Sequence, residues 1–144
     1  MTYTKYILFL MLFLLPTCRV QRTFNHDDDP KMKIFNMINQ FRRQRGLPAL
    51  KYLNSRQWEV DLWAQHLERR FEHARRGYTC ENIAVNLESV EELFYQWKQS
   101  QGHRRNMLLR DLKYCTIGLH RGKYRGHEGA YFGVFRGYRS EVSR

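Results

Sequence analysis

The chain has 144 residues, 42% of them hydrophobic and 15% aromatic, with 25 Lys and Arg against 14 Asp and Glu, a net charge of +11. That is one domain with enough apolar material for a packed core, which excludes wholesale disorder. Beyond the N-terminus no apolar run reaches the ~20 residues of a membrane span, and three cysteines are too few to build a disulfide-framed mini-protein.

Residues 1–18 have the layout of a secretory signal peptide: Lys5 near the start, an apolar stretch from Tyr6 to Leu15, then Pro16, Thr17 and Cys18. The rival is an uncleaved N-terminal anchor. Cleavage after Cys18 would leave a secreted chain of net charge +10 with two cysteines, Cys80 and Cys115. In an oxidising compartment such a pair suits one disulfide, provided the two Cβ atoms come within bonding distance. No Asn opens a glycosylation sequon.

Residues 19–33 read as a polar leader, ending in a helix start with Asp29 as N-cap and Pro30 in the first helical position. Ile34, Met37, Ile38 and Phe41 then form one apolar helical face. Gly46 and Pro48 stop the helix, and Arg42, Arg43 and Arg45 suit its C-terminal dipole. Asn54 or Ser55 can cap a second helix, its face built from Val60, Trp63, Ala64, Leu67 and Phe71 and widened by Trp58 and Leu62; it is expected to be mostly buried. A third helix opens on the capping box Ser89 to Glu92, carries Val90, Leu93, Phe94 and Trp97, and stops at Gln101-Gly102, with a short helical turn from Asn106 to Leu109. All three tryptophans fall on apolar faces and read as core.

Strands are expected at Glu81 to Val85, Thr116 to Leu119 and Ala130 to Phe135, with a Gly-rich charged loop from Arg121 to Gly129 and a polar tail from 136 to 144. Helices first and strands mostly later predict an α+β fold with helices on an antiparallel sheet.

His73, Glu81 and His103 fall at the ends of predicted elements and can converge without disturbing a core. Two imidazoles and a carboxylate suit zinc with an open position, or general acid and base work. Spacing alone fixes no geometry. His26, His66, His120 and His127 show no ligand-like pattern.

Three segments resemble the CAP superfamily of cysteine-rich secretory, antigen 5 and pathogenesis-related proteins, whose module is the SCP domain. They are Phe71-Glu72-His73, Cys80-Glu81-Asn82-Ile83-Ala84, and Trp97 to Leu108 with its Gly102-His103-Arg104-Arg105-Asn106 run. Ile38 to Arg42, Gly46 to Leu50, Ile117 to Leu119 and Tyr131 to Phe135 extend the match over residues 34–135 in the family's order. The resemblance implies a three-layer α-β-α sandwich around a central antiparallel sheet, with a cleft of two His and two Glu. His73, Glu81 and His103 match three of the four; Ser100 stands at the fourth place, as in the compact bacterial-type modules. Cys80 stands where a Gly is usual, and only seven residues separate His73 from Glu81.

The resemblance further implies a secreted binding or effector module. Its histidines, His73 and His103, would hold zinc or another divalent metal, with Asn82 and Ser100 supporting the cleft. Its ligand could be a lipid or a sterol, or its partner a receptor protein. The alternatives are a metal-dependent hydrolase using Glu81 as base with His73 and His103, or a cationic binder of anionic glycans or membrane surfaces. Arg75, Arg76, Arg104 and Arg105 flank the two histidines and would make the cleft rim positive. A secreted chain without a nucleic-acid fold argues against nucleic acid as partner.

Overall fold

The computed structural model describes residues 29–141. The expected signal peptide and most of the leader lie outside them. Among the described residues no helix is long and apolar enough to cross a membrane.

Helix α1 (Pro30–Gln44) starts as the sequence predicts: the Asp29 carboxylate accepts from Lys31 N at 2.9 Å. Helical structure therefore takes in residues 30–33 of the expected leader. Ile34, Ile38 and Phe41 are buried, and Gly46 leaves the helix at φ +68°. Arg42 does not cap the helix dipole from the surface. It is fully buried and donates to the carbonyls of Pro48 (2.9 Å), Met107 (2.8 Å) and Leu109 (3.0 Å), tying α1 to a distant part of the chain.

A two-residue strand, β1 (Lys51–Tyr52), follows; it is too short to leave a periodic signal. A 3-10 turn at Asn54–Arg56 leads into α2 (Gln57–Arg69). Only Val60, Ala64 and Leu67 of α2 are buried. Trp58 is 76% exposed and Leu62 46% exposed, so the face is narrower than expected and Trp58 is not core.

Strand β2 is Cys80–Asn86, α3 is Val90–Gln99 and α4 is Gln101–Met107. The capping hydroxyl of Ser89 accepts from Glu92 N at 3.1 Å, and Val90, Leu93, Phe94 and Trp97 are buried. Helix α3 stops at Gln99, just ahead of the expected Gln101-Gly102. The chain bends at Ser100 and begins α4, which carries His103 and replaces the expected turn at 106–109.

Strands β3 (Tyr114–Tyr124) and β4 (His127–Tyr138) are far longer than their apolar runs. The expected loop 121–129 is a hairpin with a two-residue turn: Arg125 at φ +48° and Gly126 at φ +87° give the doubly left-handed turn that matches strand twist. The expected tail also loses its first three residues to the sheet, where Arg136 and Gly137 pair with both β2 and β3 and Tyr138 pairs with β3.

The sheet order is β1-β3-β4-β2. The three long strands are antiparallel, and β1 adds a short parallel edge. Two apolar clusters lie on its two faces. Ile34, Ile38, Phe94, Trp97, Met107, Ile117 and Phe135 join α1, α3 and α4 to one face. Val60, Ala64, Leu67, Ile83, Phe132 and Val134 join α2 to the other. This is the three-layer sandwich. Gly118 brings α2 close: a Cβ there would lie 2.3 Å from the Val60 carbonyl oxygen.

The expected disulfide does not form; Cys80 and Cys115 are buried thiols. Both register with Gly137, one on each side of β4. A whole strand thus separates them, two steps of ~4.8 Å, beyond the ~7 Å Cα separation a disulfide spans. Burial pushes the Cys80 thiol up to about 12 and raises Cys115 as well.

Candidate functional site at the β2 edge

Strand alternation decides where the site residues point. Odd residues of β2 face α2 and even ones face α3 and α4. Glu81 therefore faces α2, directly across from Arg136 of β4. Its Oε2 accepts from Arg136 Nε at 2.8 Å, and both side chains are buried. Its Oε1 accepts from Ala74 N at 3.0 Å and meets His73 Nδ1 at 2.9 Å. The loop after α2 thus hangs from one carboxylate. With a carboxylate against Nδ1, the neutral imidazole carries its proton there and turns the Nε2 lone pair outward. The His73 side chain is 55% exposed.

Arg136 is the site residue that sequence reasoning missed. It lies just past the last apolar residue of the expected strand, where it read as tail. It also bonds Glu59 of α2 at 2.9 Å, and its guanidinium lies over the rings of Tyr78 (5.1 Å) and Trp63 (5.6 Å). A buried arginine shared by two carboxylates and two rings locks α2, the 70–79 loop, β2 and β4 together. No local pattern could reveal this, since its carboxylate partners are 55 and 77 residues away.

Asn82 faces the other side, as the even residue after Glu81. Its Nδ2 donates to the His103 carbonyl at 3.0 Å, and its Oδ1 accepts from Asn106 Nδ2 at 2.9 Å. Asn106 Nδ2 also lies 3.2 Å from the Glu81 carbonyl. Helix α4 is thereby stitched over β2, the edge strand of the sheet, and brings His103 to the edge that His73 reaches from the opposite layer. Burial, reinforced by the His73 charge, lowers the His103 pKa below the usual imidazole value.

Ser100 does not join them. It is exposed at the α3–α4 junction, where its carbonyl accepts from Arg104 N at 2.8 Å. Of the expected rim, Arg75, Arg76 and Arg105 are exposed. Arg104 turns back and donates to the carbonyls of Lys98 (3.1 Å) and Gln99 (3.2 Å), closing the end of α3. His66 and His120 lean on Glu72 and Glu68. Among the described residues no three His, Cys, Asp or Glu side chains form a metal-holding group.

The sequence profile of the cysteine-rich secretory protein (CAP) family matches residues 35–135. The chain belongs to this family. Solved structures with the same fold include an outer surface protein of Borrelia burgdorferi, 13% identical, with a TM-score of 0.57 over 81% of this chain and 97% of that one. The MpPR-1i protein is 16% identical, with a TM-score of 0.57 over 84% and 93%. An extracellular SCP-domain protein of Bacillus anthracis is 15% identical, with a TM-score of 0.55 over 74% of this chain and 40% of that one. At these identities the likeness shows the fold. No curated protein gave a significant match. Structural neighbours of this CAP domain thus include outer-surface and extracellular proteins.

Proposed function

We propose that this CAP-domain protein is a secreted binding module whose edge cleft takes a divalent metal ion on His73 and His103, while Glu81 and Arg136 present His73. The observation that carries the reading is the full engagement of Glu81. One carboxylate oxygen is held by Arg136, and the other by His73 and the Ala74 N–H. A carboxylate tied at both oxygens orients an imidazole; it is not free to take a proton from water, which speaks against the hydrolase alternative. Carboxylate-backed histidine is the usual support for a metal-binding imidazole. Zinc, or a similar ion that accepts imidazole nitrogen, suits the pair.

Two nitrogens leave positions for water or an external ligand, so the site is built for capture and binds more weakly than a closed four-ligand centre. When bound, the ion would supply Lewis acidity toward such a ligand. A lipid, a sterol or a receptor protein belongs to the ligand screen that follows. The N-terminal signal pattern and the extracellular neighbours support secretion.

Calorimetric titration of zinc into the purified protein tests the reading. Binding should saturate, vanish in the His73→Ala/His103→Ala variant, and weaken by about 10- to 100-fold in Glu81→Gln. No binding by the intact protein contradicts the proposal, and so does binding that the double variant leaves unchanged. Peptide or ester turnover abolished by Glu81→Ala would establish the hydrolase instead.

A further inference from the structure

The seam between α1 and α3 holds a groove of about 320 Å³ lined by Phe41, Arg45, Tyr95, Lys98, Gln99 and Arg104. Three elements deliver its cations. Arg45 follows the last turn of α1, Lys98 lies in the last turn of α3, and Arg104 comes from α4. The Arg45 guanidinium and the Lys98 ammonium both sit 5.2 Å from the centroid of the same Phe41 ring. They are therefore no more than twice that distance apart, about one Debye length at ~0.1 M salt.

No carboxylate among the groove's lining residues neutralises this positive charge. Among the described residues none of Arg45, Lys98 and Arg104 makes an ion pair, whereas Lys31, Lys33, Arg70, Lys123, Arg136 and Arg139 all do.

The remaining lining narrows the anion. Tyr95 is 41% exposed, with the Lys98 ammonium 5.8 Å from its ring centroid. A smaller hollow shares Phe41, Tyr95 and Lys98 and adds Gln40 and Gln44, whose amides both donate and accept. We propose that this groove binds a sulfated glycan: sulfates on the three cations, hydroxyls on the Tyr95 phenol and the glutamines. An acyl chain fits it poorly, because the apolar floor is already covered by charged groups. Neither His73 nor His103 lines the groove.

Calorimetry with a heparin tetrasaccharide, in EDTA and over a salt series, tests it. Arg45→Gln/Lys98→Gln should weaken binding at least about tenfold, consistent with loss of charge-assisted contacts. Lys51→Gln/Arg125→Gln removes the same charge outside the groove and should change binding less than about threefold, within the non-specific effect of net charge. The desulfated tetrasaccharide should not bind, and His73→Ala/His103→Ala should bind normally. Should the groove variant lose its thermal transition, tetrasaccharide-induced NMR shifts in the intact protein must centre on Tyr95 and Lys98. Equal losses in the two charge variants would overturn the proposal by showing diffuse attraction. Failure of the intact protein to bind overturns it too, as does a preference for phosphatidylserine vesicles over the tetrasaccharide.

Discussion

Removing the Arg136 guanidinium strands Glu81, a buried carboxylate, without its charge partner. Arg136→Met should therefore cost about 3–5 kcal/mol in urea unfolding, as breaking a buried ion pair does; a loss under ~1 kcal/mol would show that the pair is not dry. His103 gives the second test at this scale. Its neutral form is favoured in the fold, so the unfolded chain takes up the proton first as pH falls. Stability should hold above the ordinary imidazole value of 6.5, fall as pH drops through it, and level off below the lowered folded value. An NMR titration of His103 should give that lowered value. His73→Ala should raise it part of the way back, since burial is the larger cause and His73 the smaller. An unchanged value in the variant would separate the two histidines. His73, Glu81, His103 and Asn82 were singled out through the family resemblance, since their spacing alone fixes no geometry; Arg136 was not, because its role exists only once β4 pairs with β2.

The elements that carry strong local signals were legible. The Asp29-Pro30 start, the Ser89 cap and the apolar stripes of α1 and α3 all form as read. What escaped depends on tertiary pairing. Strand β3 runs through polar residues because β4 supplies its hydrogen bonds, so the charged segment 121–129 folds as the tip of a hairpin. Its turn asks Arg125 to hold φ +48°, a conformation that Asn adopts more readily. Arg125→Asn should raise stability by a few tenths to ~1 kcal/mol, and a loss would refute the turn. Helix α2 read as mostly buried because Trp58 and Leu62 are apolar, yet Gly118 and Val60 set the one face that docks. Gly118→Ala puts a methyl into backbone and should cost more than ~1 kcal/mol, read as a lowered thermal midpoint. The two cysteines were counted correctly but not placed: their separation across β4 leaves them reduced, so alkylation after unfolding without reductant should label both Cys80 and Cys115.

At the scale of the whole molecule, the three layers explain how a site arises from residues without a fixed spacing. His73 arrives from the α2 layer, His103 from the layer of α1, α3 and α4, and β2 between them turns Glu81 to one and Asn82 to the other. The family resemblance supplied this architecture before any periodicity could. Everything proposed for the cleft depends on Glu81 orienting His73 and leaving its outer nitrogen free. Long-range proton–nitrogen correlation spectra of the histidine side chains read that orientation directly. Neutral His73 should be protonated on Nδ1 with Nε2 bare, and Glu81→Gln should erode this preference. His73 protonated on Nε2 in the intact protein would contradict it.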